Sequence, residues 1–403
     1  MLRIAARNVL RQKRRTVLTM LTMTGGFVLA SFSISWADGS YHEVIEIFTR
    51  QRLGHIQVHA AGYQERPSLY KTIRKPVEIG RVVASVSGVE AWSPRLYTAG
   101  LASVENQSAA VRIVGVDPER EERTTGLTGR LVSGDTLDAA SHDAVLLGTA
   151  LADRLNAAAG DELTLVSQAA DGSIANDIYR VTGLVDTGED MQNRTQLFMT
   201  LQSAQDLFVL PGQAHEIAVT VNRLDEVRPV SRRIASELDD EQLQVQPWQE
   251  FARDFYHAMK VDQRGMWIML GIILLIVAVG VLNTVLMAVL ERQREHGLLR
   301  ALGTRPAALA ALILTEVSLM AVGSIGVGAV LALIANSALS IYGIELPQPI
   351  TYGGMTFSRL HTELNLRSFV IPAVAVVLTA FGAGLYPAWK AARTDPAVAM
   401  GRH

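Results

Sequence analysis

The chain of 403 residues contains no cysteine. Disulfides, cysteine metal ligands and thiol nucleophiles are therefore excluded, although a chain facing an oxidising space can simply avoid thiols, so no compartment follows. Charge is also scarce. Asp, Glu, Lys and Arg make up 19% of the residues, against about 25% in ordinary soluble domains. With 49% hydrophobic residues and a mean hydropathy of +0.21, that deficit points to a membrane. The net charge of −2 leaves no basic excess for nucleic acid. None of the five lysines follows a glycine, so there is no G-K-[ST] phosphate loop. The patterns G-x-S-x-G, H-E-x-x-H and the EF-hand loop are absent as well. The residues thus predict no catalytic group, no metal site and no cofactor on this chain.

What is there is apolar runs. Residues 17–37, 266–290, 307–338 and 368–388 are each long enough to cross a hydrocarbon core as a helix, which takes about 20 residues. The short segments between them carry the basic residues, and an excess of Arg and Lys marks the cytoplasmic side. Four spans with both termini inside fit every basic segment, including the tail 389–403 with Lys390, Arg393 and Arg402. Residues 1–16 place Arg3, Arg7 and Arg11 four apart, opposite Leu2, Ala5, Ala6, Val9 and Leu10, and read as a basic amphipathic helix on the inner leaflet. Ser35-Trp36-Ala37 loosely fits a cleavage site, but the apolar core before it is longer than the 7–15 residues of a signal peptide, so the first span is expected to be retained.

Residues 38–265 hold no span and form a large domain on the far side. Residues 54–59 (GHIQVH) alternate, with His55, Gln57 and His59 on one face, a polar face rather than a metal site. Further strands are predicted at 111–116, 144–147, 162–166, 178–185 and 196–200, with helices at 149–159 and 203–210. A strand, helix and strand at 216–221, 225–238 and 243–246 read as a βαβ unit of a small ferredoxin-like subdomain. Trp248, Phe251, Phe255 and Met259 recur at helical spacing and lead into the second span. Residues 248–290 then form either one rod of roughly 65 Å at about 1.5 Å per residue, or a rod kinked near Gly265. Residues 339–367 read as an outer loop.

Between the second and third spans lies a charged collar, residues 291–306, opening ERQREHGLLRALGTR. Arg294, Glu295, Leu298, Leu299 and Leu302 have the spacing of a short amphipathic helix, with Gly303 placed to stop it. It reads either as an ordinary positive-inside loop or as a handle for a soluble partner. In the third span, Glu316 stands alone in apolar sequence. A carboxylate there is either a functional group or a hydrogen-bonded seal between helices. Gly323, Gly326 and Gly328 allow close helix approach.

Three stretches carry a family resemblance: Asn283 followed by VLERQREHGLLRALGT, then LTEVSLMAVGSIGVG, then GLYPAWKAARTDPAVAM. In that order they resemble the MacB/FtsX-type ABC transporter permeases, with His296 and Met400 as departures from the usual residues. The resemblance implies an α-helical membrane protein of four transmembrane helices with a large α+β extracytoplasmic domain, a βαβ-rich part carrying a β-rich insert at about residues 100–210. It implies no catalysis on this chain, and ATP and magnesium on a separate ATPase subunit. Glu291, Arg294, Glu295, Gly297, Leu298, Arg300 and Gly303 would touch that ATPase. Asn283, Glu316 and the three glycines would lie in the helix packing that couples the halves. A second permease copy or paralogue, a periplasmic adaptor or lipoprotein carrier, and membrane lipids would be the other partners, in a bacterial inner membrane. Lipoprotein or lipid-linked cargo is the preferred expectation. Efflux of peptides or antibiotics, and regulation of a cell-wall hydrolase without transport, are the alternatives.

Overall fold

The computed structural model describes residues 2–11, 13–352 and 355–393. The closing motif from Thr394 through Met400, and Arg402, lie outside these residues. The helices in chain order are α1 (Leu2–Arg11), α2 (Lys13–Phe48), α3 (Pro76–Ser85), α4 (Pro118–Thr125), α5 (Thr149–Leu155), α6 (Asp190–Thr195), α7 (Leu201–Leu207), α8 (Val227–Leu238), α9 (Trp248–Phe251), α10 (Arg253–Glu291), α11 (Gln293–Ala301), α12 (Pro306–Tyr342) and α13 (Arg367–Ala392). The main strands are β1 (Ile56–Ala60), β2 (Val89–Val104), β3 (Gln107–Val116), β4 (Leu131–Gly134), β5 (Ala144–Gly148), β6 (Glu162–Gln168), β7 (Ile174–Val185), β8 (Gln196–Thr200), β9 (Glu216–Val221) and β10 (Leu243–Pro247). The chain divides into two compact units. One holds residues 1–42, 259–346 and 359–403, and the other holds residues 43–258 and 347–358.

The sheet-rich unit is built on a strand order β10-β1-β9-β2. β1 runs antiparallel to both β9 and β10, with Ile56 opposite Val219 on one side and Pro247 on the other. β9 and β10 are thus parallel with β1 between them, a split βαβ arrangement with α8 as the crossover. From β2 the sheet continues through β3, β8, β5 and β7, and β6 pairs with both β7 and β2. Those six strands close on themselves into a barrel, and β4 pairs with β7 beside the ring. Leu96, Ile113, Val145, Leu147, Leu165, Val181 and Leu197 fill its core. The insert has no boundary at residue 100, because β2 is one continuous strand shared by both parts. Gly100 sits where β6 crosses it: a Cβ there would lie 2.8 Å from the Val166 carbonyl oxygen. The predicted helix at 149–159 stops earlier, at Leu155, because Asn156 takes a left-handed conformation.

The polar face expected for β1 is not a surface. His55, Gln57 and His59 are all buried. Each finds a partner inside. The Val221 N–H donates to His55 Nδ1 at 3.0 Å, His59 Nδ1 donates to the His215 carbonyl at 3.1 Å, and Gln64 Nε2 donates to His59 Nε2 at 2.8 Å. The Tyr97 N–H donates to His215 Nδ1 at 3.0 Å, and His215 Nε2 donates to the Leu69 carbonyl at 3.1 Å. Beside them Arg95 grips Glu121 through two bonds, at 2.6 and 3.1 Å, and Glu216 through a third at 3.2 Å. All three charged side chains are at most 5% exposed. Burial pushes the Glu121 carboxyl up, but the Arg95 guanidinium outweighs it and holds the group below the usual carboxylate range.

Burial also lowers the pKa of His59 and of His215 from 6.5. The unfolded chain therefore takes up protons on these two groups before the folded chain does. Their contribution to stability is present above about pH 6.5 and is lost as the pH falls below it, at up to about 1.4 kcal/mol per histidine per pH unit. A thermal-melt series of the full chain from pH 8 to pH 5 should show Tm falling, with His59→Gln flattening the slope. An unchanged slope in that variant counts against the assignment.

In the helical unit, α2, α10, α12 and α13 are long and apolar enough to cross a membrane. Their buried residues fall four apart: Val277, Val281, Val285 and Val289 on α10, and Leu309, Ile313, Val317 and Ala321 on α12. Leu275, Ile276, Val279 and Met287 on the opposite side of α10 are exposed, the reverse of a soluble bundle. Polar ties join the helices, as Asn336 Nδ2 to Ser31 Oγ at 3.3 Å and Thr24 Oγ1 to the Ser324 carbonyl at 3.3 Å. Residues 339–367 are not simply a loop: they contain paired strands β11 (Ile344–Tyr352) and β12 (Met355–Leu360).

Close approach of α2 and α10 depends on a glycine that the sequence did not single out. A Cβ on Gly26 would sit 2.2 Å from Val277 Cγ2, whereas one on Gly25 would meet nothing within 4 Å. Gly26→Ala should therefore cost about 1–3 kcal/mol by overpacking. Gly25→Ala should stay within about 0.5 kcal/mol. Melting of the two variants in detergent separates them, and equal Tm values would contradict this packing.

The expected rod is interrupted at its start. Ala252 (φ −109°, ψ 49°) breaks the helix after Phe251, so Trp248 and Phe251 lie on the one-turn α9 and only Phe255 and Met259 lie on α10. Trp248 is buried against Phe255 and Tyr256, and Phe255 stacks on Phe48 at 3.8 Å. From Arg253 to Glu291 α10 is unbroken, with no interruption at Gly265.

Candidate coupling site

The collar folds as α11, joined to α10 through a single non-helical residue, Arg292 (φ −98°, ψ 20°). Its far end closes with a pair of bonds, Thr304 N–H to the Leu299 carbonyl and Gly303 N–H to the Arg300 carbonyl, both 3.0 Å. Gly303 supplies the positive φ of 90° that this motif requires. Arg300 Nη1 donates to the Thr304 carbonyl at 3.2 Å, so it reinforces the same helix end. Its side chain is half-exposed.

The two faces of α11 differ. His296 and Gly297 are buried, and Leu299 packs on the core of the spans. Burial, helped by the neighbouring Arg292, lowers the His296 pKa to about 4, so its ring is neutral near pH 7. Arg294, Glu295, Leu298, Ala301, Leu302 and Arg305 face outward. Leu298 is 54% and Leu302 76% exposed, two large apolar groups on an otherwise charged surface.

Glu316 does not stand alone. Asn8 Nδ2 of α1 donates to its Oε1 at 2.6 Å, and Arg292 Nη1 lies 3.3 Å from its Oε2. Arg292 also donates through Nε to Glu295 Oε2 at 2.8 Å. That bond is the main reason the Glu295 carboxyl lies below its usual range. Arg11 reaches Glu295 at 3.5 Å, and Arg15 pairs with Glu291. Around these groups is a small cavity of about 40 Å³, lined among others by Asn8, Arg15, Thr284, Arg292, His296 and Glu316. The joint residue Arg292 is thus tied to α12 on one side and to α11 on the other. Asn8, Arg15 and Arg292 are members of this cluster that sequence reasoning missed.

The remaining predicted residues separate. A Cβ on Gly328 would meet Phe27 at 2.8 Å and one on Gly323 would meet Met20 at 3.0 Å, but one on Gly326 would meet nothing within 4 Å. Asn283 is exposed on α10. Gly297 is buried on the inner face of α11.

Residues 16–237 match the family model of the MacB-like periplasmic core domain, more than half of the chain, and residues 267–396 match that of the FtsX-like permease C-terminal region. The chain belongs to the MacB/FtsX family of ABC transporter permeases. Among similar proteins, the permease is 27% identical over 312 residues to the lipoprotein-releasing system transmembrane protein LolC of Xylella fastidiosa, covering 73% of each chain. It is 23% identical over 316 residues to the lipoprotein-releasing system transmembrane protein LolE of Haemophilus influenzae, covering 75% of each. A stretch of 147 residues is 33% identical to the pyoverdine export ATP-binding/permease protein PvdT of Pseudomonas savastanoi pv. phaseolicola, 34% of this chain and 19% of that one. The permease therefore shares a two-part plan with its family, a sheet-rich core domain followed by a helical permease region, and α11 lies within the second part.

Proposed function

We propose that this permease couples ATP hydrolysis by a separate cytoplasmic ATPase subunit to movement of its sheet-rich domain, without catalysis of its own. The observation that carries the reading is the outward face of α11, where Leu298 and Leu302 are exposed beside Arg294 on a helix whose joint is pinned by Arg292 and Glu316. Exposed apolar side chains ringed by charge mark a protein-binding surface. ATP and magnesium would be held by the partner. The termini and α11 would lie in the cytoplasm and the sheet-rich domain in the periplasm, with α10 as the connecting rod. A second permease, either a copy or a paralogue, would complete the transporter, and Asn283 is available to it.

Lipoprotein or another lipid-linked molecule is the cargo we favour, because LolC and LolE relatives match over about three quarters of the chain. The match to PvdT supports a second reading, efflux with an adaptor. Purification of the full chain in mild detergent, followed by mass spectrometry, tests both. An ATP-binding subunit with a lipoprotein carrier supports the first reading, and one with an adaptor supports the second. Recovery of no ATP-binding subunit overturns the function.

A further inference from the structure

The first helix carries cations that the collar does not use. Its inner side is fixed by Ala5, fully buried, by Asn8 on Glu316, and by Val9, which lines the same cavity. Arg3 and Arg7, one turn apart, fall on the opposite side, and Lys13 and Arg14 open α2. All four are exposed, and among the described residues none has a carboxylate within ion-pair distance. Arg11 and Arg15, by contrast, pair with Glu295 and Glu291. Leu2 and Ile4 flank the free cations, 67% and 57% exposed. Four unpaired cations beside exposed aliphatic groups, next to a membrane-length helix, have the chemistry of an interface-lying surface.

We infer that α1 and the start of α2 form a docking surface for anionic phospholipid headgroups, and that its occupancy is passed to the coupling joint through Asn8 and Glu316. The inference rests on the proposed cytoplasmic placement of α1. Guanidinium groups take phosphate oxygens in paired hydrogen bonds, and each cation near an anionic leaflet raises affinity about fivefold. Leu2 and Ile4 favour a lipid over a soluble phosphate, since they gain only from an acyl boundary. The link to function is mechanical. Any shift of α1 toward the leaflet moves Asn8, which with Arg292 holds the Glu316 carboxyl group among the described residues.

Native mass spectrometry of the full chain in detergent, with phosphatidylglycerol or phosphatidylcholine added, tests the surface. The wild type should retain phosphatidylglycerol preferentially. Arg3→Gln, Arg7→Gln, Lys13→Gln and Arg14→Gln together should weaken that retention by about tenfold or more. The control combination Arg74→Gln, Arg81→Gln, Arg154→Gln and Arg232→Gln, at four other exposed arginines, should leave it intact. Equal loss in both variants, or no loss in the first, overturns the surface. For the link, ATPase activity of the complex is compared in vesicles of phosphatidylcholine alone and of an equal mixture with phosphatidylglycerol. Asn8→Ala should keep lipid retention but lose the dependence of activity on phosphatidylglycerol, and persistence of that dependence overturns the link. If the wild-type complex hydrolyses no ATP in either vesicle, the coupling function fails, while the retention measurement still decides the lipid surface.

Discussion

Arg95→Ala should destabilise the sheet-rich unit by about 3–5 kcal/mol, the cost of stranding buried carboxylates without their cation. Arg95 is 4% exposed and is the cation hydrogen-bonded to both Glu121 and Glu216. The added bonds from Thr125 Oγ1 to Glu121 at 2.6 Å and from Tyr97 Oη to Glu216 at 3.1 Å do not supply a charge. A loss of that size is a large part of the 5–15 kcal/mol that holds a typical domain together, so the variant should yield little folded protein at 37 °C. Replacing all three charges by apolar residues of similar volume should be far milder than the single change. The sign of the pH dependence follows from Glu121, whose pKa is lowered in the fold. Its contribution is present above about pH 4.5 and is lost as the pH falls below that value. The gap in Tm between wild type and Arg95→Ala should therefore narrow toward pH 4. A gap that widens there would contradict a buried ion pair.

The second large effect is expected at α11. Leu298→Asp and Leu302→Asp together should weaken association with the ATPase subunit by about 100-fold, as for an interface anchor worth near 3 kcal/mol. The fold should be preserved, because both side chains already face outward. Arg300→Glu is a different experiment. It removes the bond to the Thr304 carbonyl and places a carboxylate at a helix C-terminus, so it should lower stability as well as coupling. Isothermal binding of the purified subunits, with a melt of each variant, distinguishes the two. Loss of binding by Arg300→Glu with full stability would mean that Arg300 is a direct contact.

The spans were legible because composition alone decides them: an uncharged run of 25 residues at 266–290 has few other uses. The collar was legible through its charges, and the split βαβ unit through its alternation of apolar periods. What escaped depends on distance in the chain. The partners of Glu316 lie 308 and 24 residues away, on α1 and at the joint, so no local pattern announces them. The histidines of β1 looked exposed because alternation normally means one wet face. Here β9 and β10 flank the strand, and the Val221 N–H, the His215 carbonyl and Gln64 meet the ring nitrogens of His55 and His59 inside. β2 was missed because Pro94 and Gly100 interrupt the strand signal. Barrel closure, set by β6 meeting both β2 and β7, was equally out of reach. α4, sequence PEREERTT, lacks an apolar period and is announced mainly by its Asp117 cap and Pro118.

The absence of native cysteine allows a direct test of the docking face. A single cysteine introduced at Leu302 and another at Val322, the latter exposed on α12, are each paired with a surface cysteine on the ATPase subunit, and disulfide formation is followed with and without ATP. Cross-linking from position 302 that changes with nucleotide, with none from position 322, is the result expected if α11 is where the ATPase engages. Equal cross-linking from both positions, or none from 302 in a complex that still hydrolyses ATP, would contradict it.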